Sequence, residues 1–173
     1  MVSERMSAEY ADALLHCEKR LSTNQTPVVD LSHAKTRIML VSDMIPAQFL
    51  FEFSRISLEL KKVTYHMQTM AGTGLTRFDF GGRHINPKAE NVAPEIARPY
   101  TGKRFEGESH IHIYSENVLL RQLEWAVPPE ALGMHFETMA DGKCDIRQVL
   151  DLFCDYISLK DRIIFQGALN EQH

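Results

Sequence analysis

Apolar and polar side chains alternate with a period of two through most of residues 36–128, and fall at helical spacing near the two ends of the chain. Thr36 to Ser42 reads as a strand with Ile38 and Leu40 on one side, and Asp43-Met44-Ile45-Pro46-Ala47 as a hairpin connection. Phe49, Phe51 and Phe53 then alternate with Leu50, Glu52 and Ser54, giving a strand with one aromatic face. Leu60 to Thr69 sets Lys61, Val63, Tyr65 and Met67 against Lys62, Thr64, His66 and Gln68. After the turn glycines Gly72 and Gly74, Leu75 to Phe80 opposes Phe78 and Phe80 to Arg77 and Asp79. Ser109 to Ser115 and Leu123 to Val127 complete the pattern, with Pro128-Pro129 closing the last strand and Val28 to Leu31 forming a short lead-in strand.

Helical periodicity predicts two further elements. Within residues 1–22, Ser7 caps a helix running to about Arg20, with Glu9 in its first turn and Lys19 and Arg20 in its last. Asp145 caps a second over 145–158, with Gln148 at the capping-box position and Ile146, Val149, Leu150, Phe153 and Ile157 on one face. Residues 87–108, rich in Pro and Gly, read as a long loop. The expected fold is therefore α+β: one domain, an antiparallel sheet of about five or six strands, and the two terminal helices packed on one face. Phe78, Phe80, Ile111 and Ile113 would meet the helices. Arg77, Asp79, His110, His112 and Tyr114 would face solvent or a partner, with His84 at the rim.

Composition narrows the function classes. Nineteen basic against 23 acidic side chains give a net charge of −4, so no global positive field draws the chain to nucleic acid. Cys17, Cys144 and Cys154 are odd in number and widely spaced, which supports neither a disulfide framework nor a zinc-binding cysteine motif and points to a reducing, cytoplasmic setting. No run approaches the ~20 apolar residues of a membrane span.

Candidate chemistry concentrates between Arg77 and Ser115. In one reading His84, His110 and His112 act as general acid and base on an RNA phosphodiester, with Arg77 or Arg83 facing the developing negative charge and Tyr114 positioning the substrate. Lys61, Lys62, Tyr65, Asn86, Lys103 and Arg104 are then the substrate-binding candidates. In another, His84, His110 and His112 hold zinc, helped by Asp79, because residues i and i+2 of a strand place two imidazoles on one face. In the structural reading the same histidines hydrogen-bond loop carbonyls and Asn86-Pro87 organises a turn.

The order of short motifs adds a resemblance. Leu60-Lys61-Lys62-Val63-Thr64-Tyr65, Arg77-Phe78-Asp79, His84-Ile85-Asn86-Pro87, His110-Ile111-His112-Ile113-Tyr114, then Trp125 with Pro128, Leu150 to Tyr156 and Phe165-Gln166 resemble the DUF6978 family of small bacterial and prophage-encoded proteins of unknown function. The resemblance implies a helix–sheet–helix fold and a mobile-element association, without a family chemistry. Two functions are carried from here. One is a small metal-independent, toxin-like ribonuclease. The other is a non-catalytic phage or mobile-element protein that binds and regulates a host protein, with an edge strand open to homodimer formation.

Overall fold

A computed structural model describes residues 6–22, 27–57, 59–117 and 123–167. Eleven strands form among them: β1 (Arg20–Leu21), β2 (Val28–Asp30), β3 (Lys35–Ser42), β4 (Ala47–Arg55), β5 (Val63–Thr69), β6 (Gly74–Phe80), β7 (Arg83–Ile85), β8 (Arg104–Glu106), β9 (His110–Ile113), β10 (Trp125–Val127) and β11 (Ile164–Gln166). Seven make one antiparallel sheet in the order β1-β3-β4-β5-β6-β9-β10. The sheet is larger than expected because β1 adds to one edge. The lead-in strand β2 does not join it. It pairs in parallel with β11, while β7 and β8 form a separate antiparallel pair.

The alternation decides which face is dry. Phe49, Phe51 and Phe53 of β4, Val63, Tyr65 and Met67 of β5, Phe78 and Phe80 of β6 and Ile111 of β9 form one buried cluster. The α1 helix (Ala8–His16) contributes Ala11, Leu14 and Leu15 to it, and the α2 helix (Ile146–Tyr156) contributes Val149, Leu150 and Phe153. Both helices therefore cover the aromatic face, as the pattern predicts. Tyr65 lies within this layer, its ring 5.8 Å from Phe153 and its hydroxyl donating to Ile146 O at 2.8 Å, so it packs the core and is not presented to a substrate. No helix among the described residues is long and apolar enough to cross a membrane.

Both caps form as expected. Ser7 Oγ accepts from Tyr10 N, and Asp145 accepts from Arg147 N and Gln148 N. Gln148 does not complete a reciprocal box, because its side chain accepts from Glu137 N instead. The first helix stops at His16, short of Arg20, since Lys19 turns inward. The Lys19 ammonium is fully buried and donates to Leu15 O, Cys17 O and Ile157 O at 2.7, 2.8 and 2.9 Å, with the Phe49 ring 4.9 Å away. One cation thus serves the carboxyl-terminal carbonyls of α1 and the end of α2. Burial pulls its pKa down to about 8.

The 87–108 connection is folded. It holds two 3-10 turns, Glu90–Val92 and Glu95–Tyr100, followed by β8. Ala93 and Ala97 pack with Ile113, Trp125 and Val127 in a second, smaller apolar cluster. Asn86 secures the point where the chain passes β10. Its amide donates to Ala126 O at 2.7 Å and Tyr100 O at 2.9 Å, and its carbonyl accepts from Ala126 N at 2.8 Å. The side chain thus occupies the outer edge of β10 as a further strand would.

Candidate metal centre

Register assembles the site. The β5–β6–β9 pairing sets Thr64, Asp79 and His110 in one row and His66, Arg77 and His112 in the next, and directly opposed residues of an antiparallel sheet share a face. His110 and His112 do lie together, as their spacing requires. They do not meet solvent, being 0% and 1% exposed. The reason is local: Gly81, at φ +67°, and Gly82 turn the chain out of β6 so that β7 and β8 close over the face. A Cβ on Gly82 would sit 3.1 Å from His110 Cε1, so only glycine permits this approach without displacing the ring. Phe105 of β8 then stacks on His110 at 4.8 Å, and the His84 ring of β7 lies 4.5 Å from His112.

The backbone fixes both tautomers. Nδ1 of His110 is 2.9 Å from Glu108 O, and Nδ1 of His112 is 2.8 Å from Leu123 O. A carbonyl only accepts, so each ring donates from Nδ1 and, when neutral, turns a lone pair outward at Nε2. Those two nitrogens converge on Asp79 Oδ2, at 3.7 Å from His110 and 3.2 Å from His112. Thr64 Oγ1 donates to Asp79 Oδ1 at 2.8 Å, which orients the carboxylate. Arg77 completes the cluster: Nε and Nη2 each lie 2.9 Å from Asp79 Oδ2, and Nη2 donates to His112 Nε2 at 2.8 Å. His110 Nε2 is buried and has no hydrogen-bond partner.

Electrostatics keeps the imidazoles neutral. Burial draws His112 from its ordinary 6.5 to about 4, against the hydrogen bond and charge of Asp79 and with the help of Arg77. Burial lowers His110 as well, opposed by its bond to Glu108 O. Burial alone would raise the Asp79 carboxyl, but its contact with His112, the Arg77 charge and the Thr64 hydroxyl hold it well below the usual carboxylate range. Two neutral imidazoles and one carboxylate therefore coexist near neutrality, the protonation states that metal binding requires.

The ligand atoms of Asp79, His110 and His112 all lie within 4.8 Å of one another. Four ligands at zinc–nitrogen distances of about 2.0–2.1 Å stand at the corners of a tetrahedron with edges of roughly 3.3 Å. The 3.2 and 3.7 Å separations bracket that edge. His84 lies outside this group, its Nε2 committed to Glu124 O at 2.8 Å and Asn86 Oδ1 at 3.1 Å. Asp79 is the third member of the group. The signal for this was present in the sequence, because Arg77-x-Asp79 and His110-x-His112 share one period and need only adjacent strands to meet.

A family model described as a family of unknown function, DUF6978, matches residues 6–159. The chain belongs to the DUF6978 family. That span holds α1, α2, the whole seven-stranded sheet and every residue of the cluster. No curated protein and no solved structure matches this DUF6978 chain.

The remaining candidates lie outside the Asp79–His110–His112 group. Tyr114 follows the end of β9, leaves the alternation and donates to Met6 O beside α1, on the opposite side from the histidines. Arg83 is exposed on β7. Lys61 pairs with Glu59 at 3.0 Å, and Arg104 with Glu106 at 3.3 Å; both basic residues are exposed. Lys62 is exposed beside Lys61. Lys103 pairs with Glu108 at 3.1 Å and lies 4.7 Å from the Phe105 ring. Lys61, Lys103 and Arg104 are thus each paired with a neighbouring acid, and Lys61 and Lys103 line one open cavity beside Gly81 and Glu108.

Proposed function

We propose that this DUF6978 protein binds one transition-metal ion through Asp79 Oδ2, His110 Nε2 and His112 Nε2. The observation that carries the reading is the His110 Nε2 lone pair, buried without a partner and directed at a carboxylate that a second imidazole also faces. A buried polar atom left unpaired costs roughly 1–3 kcal/mol, and a bound ion would offset that cost. The carbonyls of Glu108 and Leu123 act as the outer partners that orient metal-ligating histidines. Two imidazoles and one carboxylate suit zinc or another nitrogen-binding divalent ion. The enclosed position beneath β7 and β8 favours an ion that ties β6 to β9 over one that turns over substrate.

Of the functions expected from sequence, RNA cleavage gains least from this geometry. A general acid and base must come within hydrogen-bond reach of the phosphodiester, and both rings lie beneath β7 and β8.

The test is titration of EDTA-stripped protein with Zn(II) against a competing chromophoric chelator. One equivalent per chain is expected, falling to none in His110→Phe and Asp79→Asn. Absence of stoichiometric binding, or binding that survives His110→Phe, overturns the reading.

A further inference from the structure

Arg77 occupies the place an ion would take. Its Nη2 is 2.8 Å from His112 Nε2 and 2.9 Å from Asp79 Oδ2, and those two ligand atoms are 3.2 Å apart. An ion bonded to both at about 2.05 Å lies on a circle of radius roughly 1.3 Å about their midpoint. Nη2 stands roughly 2.4 Å from the same midpoint, so every position on that circle is within about 3.7 Å of it. Two cations do not share such a space without strong repulsion. The lone pair imposes the same exclusion more sharply: an imidazole Nε2 has one, and here it accepts the Arg77 N–H.

We infer that metal and Arg77 exchange: the ion displaces the Arg77 guanidinium from Asp79 and His112, and Arg77 sets the threshold affinity of the site. This rests on the metal reading above and adds how the site is regulated. The guanidinium has somewhere to go. Its side chain is 37% exposed, and across the outer face of the sheet it opposes His66 on β5, which in turn opposes Glu52 on β4. Glu52 is ion-paired with Lys35 and Arg37, each at 2.8 Å, so that row of the sheet already carries charge at its surface. Without metal, Arg77 neutralises the buried carboxylate. With metal, the ion does so and a positive group moves to the outer face.

The exchange also selects the ion. Displacing a guanidinium held by charge-assisted bonds needs an ion that gains strongly from two imidazoles, which zinc does. Magnesium, which prefers oxygen ligands and keeps its water, lacks that gain.

The test compares Zn(II) binding to wild type and Arg77→Met. Removing the competing donor should tighten binding by roughly 10- to 100-fold, the equivalent of one or two charge-assisted hydrogen bonds. In wild type, the ¹⁵Nε–¹Hε signal of Arg77 should be sharp and protected from exchange in EDTA, lose protection on adding one equivalent of Zn(II), and be unmoved by Mg(II). That measurement decides the matter even if Arg77→Met folds poorly. Stoichiometric Zn(II) binding to wild type with unchanged or weaker binding to Arg77→Met, or with the Arg77 signal still protected, overturns the exchange while leaving the metal site standing. No Zn(II) binding by either protein overturns both.

Discussion

His110 and His112 differ at Nε2, which has no hydrogen-bond partner in His110 and accepts from Arg77 in His112. Replacing His110 by Phe in metal-free protein removes the bond to Glu108 O, worth about 1 kcal/mol, and Glu108 is exposed enough for water to take over the carbonyl. The same change removes a buried, unpaired Nε2, whose burial costs roughly 1–3 kcal/mol, and keeps a ring stacked on Phe105. The expected net effect runs from neutral to about 2 kcal/mol stabilising. Replacing His112 by Phe has the opposite balance: it deletes the bonds to Leu123 O and Arg77 and takes a partner from the Asp79–Arg77 pair. A loss of about 2–4 kcal/mol is expected. For a chain of this length 1 kcal/mol moves the melting temperature by roughly 2–4 °C. In scanning calorimetry with EDTA, His110→Phe should therefore melt at or above wild type and His112→Phe some 5–15 °C below it. Equal destabilisation by both substitutions would refute the reasoning, because His110 would then be a satisfied core histidine.

Three further outcomes follow from the same geometry. Asn86→Ala should lose about 2–4 kcal/mol in urea unfolding, since it leaves Ala126 N, Ala126 O and Tyr100 O without their partners at a buried strand edge; a loss below 1 kcal/mol would show that water replaces the side chain. Metal-free protein should become less stable as pH falls from 6.5 towards 4, because unfolded His112 takes up its proton near 6.5 and folded His112 only near 4. That gap is worth about 3 kcal/mol, His110 adds in the same direction, and Asp79, lowered instead, loses its contribution only below the usual carboxylate range; flat stability over that interval in chemical unfolding would contradict neutral burial of the rings. Cys144 and Cys154, pushed up to about 12 chiefly by burial, should resist a thiol reagent at pH 8 until the protein unfolds; rapid labelling of either in native buffer would place it at the surface.

The local code was largely legible in the order of residues. Period-two alternation located β3, β4, β5, β6 and β9, and it assigned the aromatic face of Phe49, Phe51 and Phe53 to the core, because successive strand side chains must point to opposite sides. Ser7 and Asp145 announced both helices through the hydroxyl and carboxylate that meet the first free N–H groups. Partnerships between distant residues were not legible. The two-residue β1, the parallel β2–β11 pair and the burial of Lys19 depend on carbonyls and strands supplied from up to 138 residues away. The fate of the polar face was decided the same way: alternation put His110 and His112 side by side, but whether they met water depended on where β7 and β8 folded after Gly81-Gly82. Register alone brought Asp79 opposite His110 and Arg77 opposite His112. A metal-ligating group is a statement about three atoms within a few ångströms, and spacing along a strand fixes only two of them.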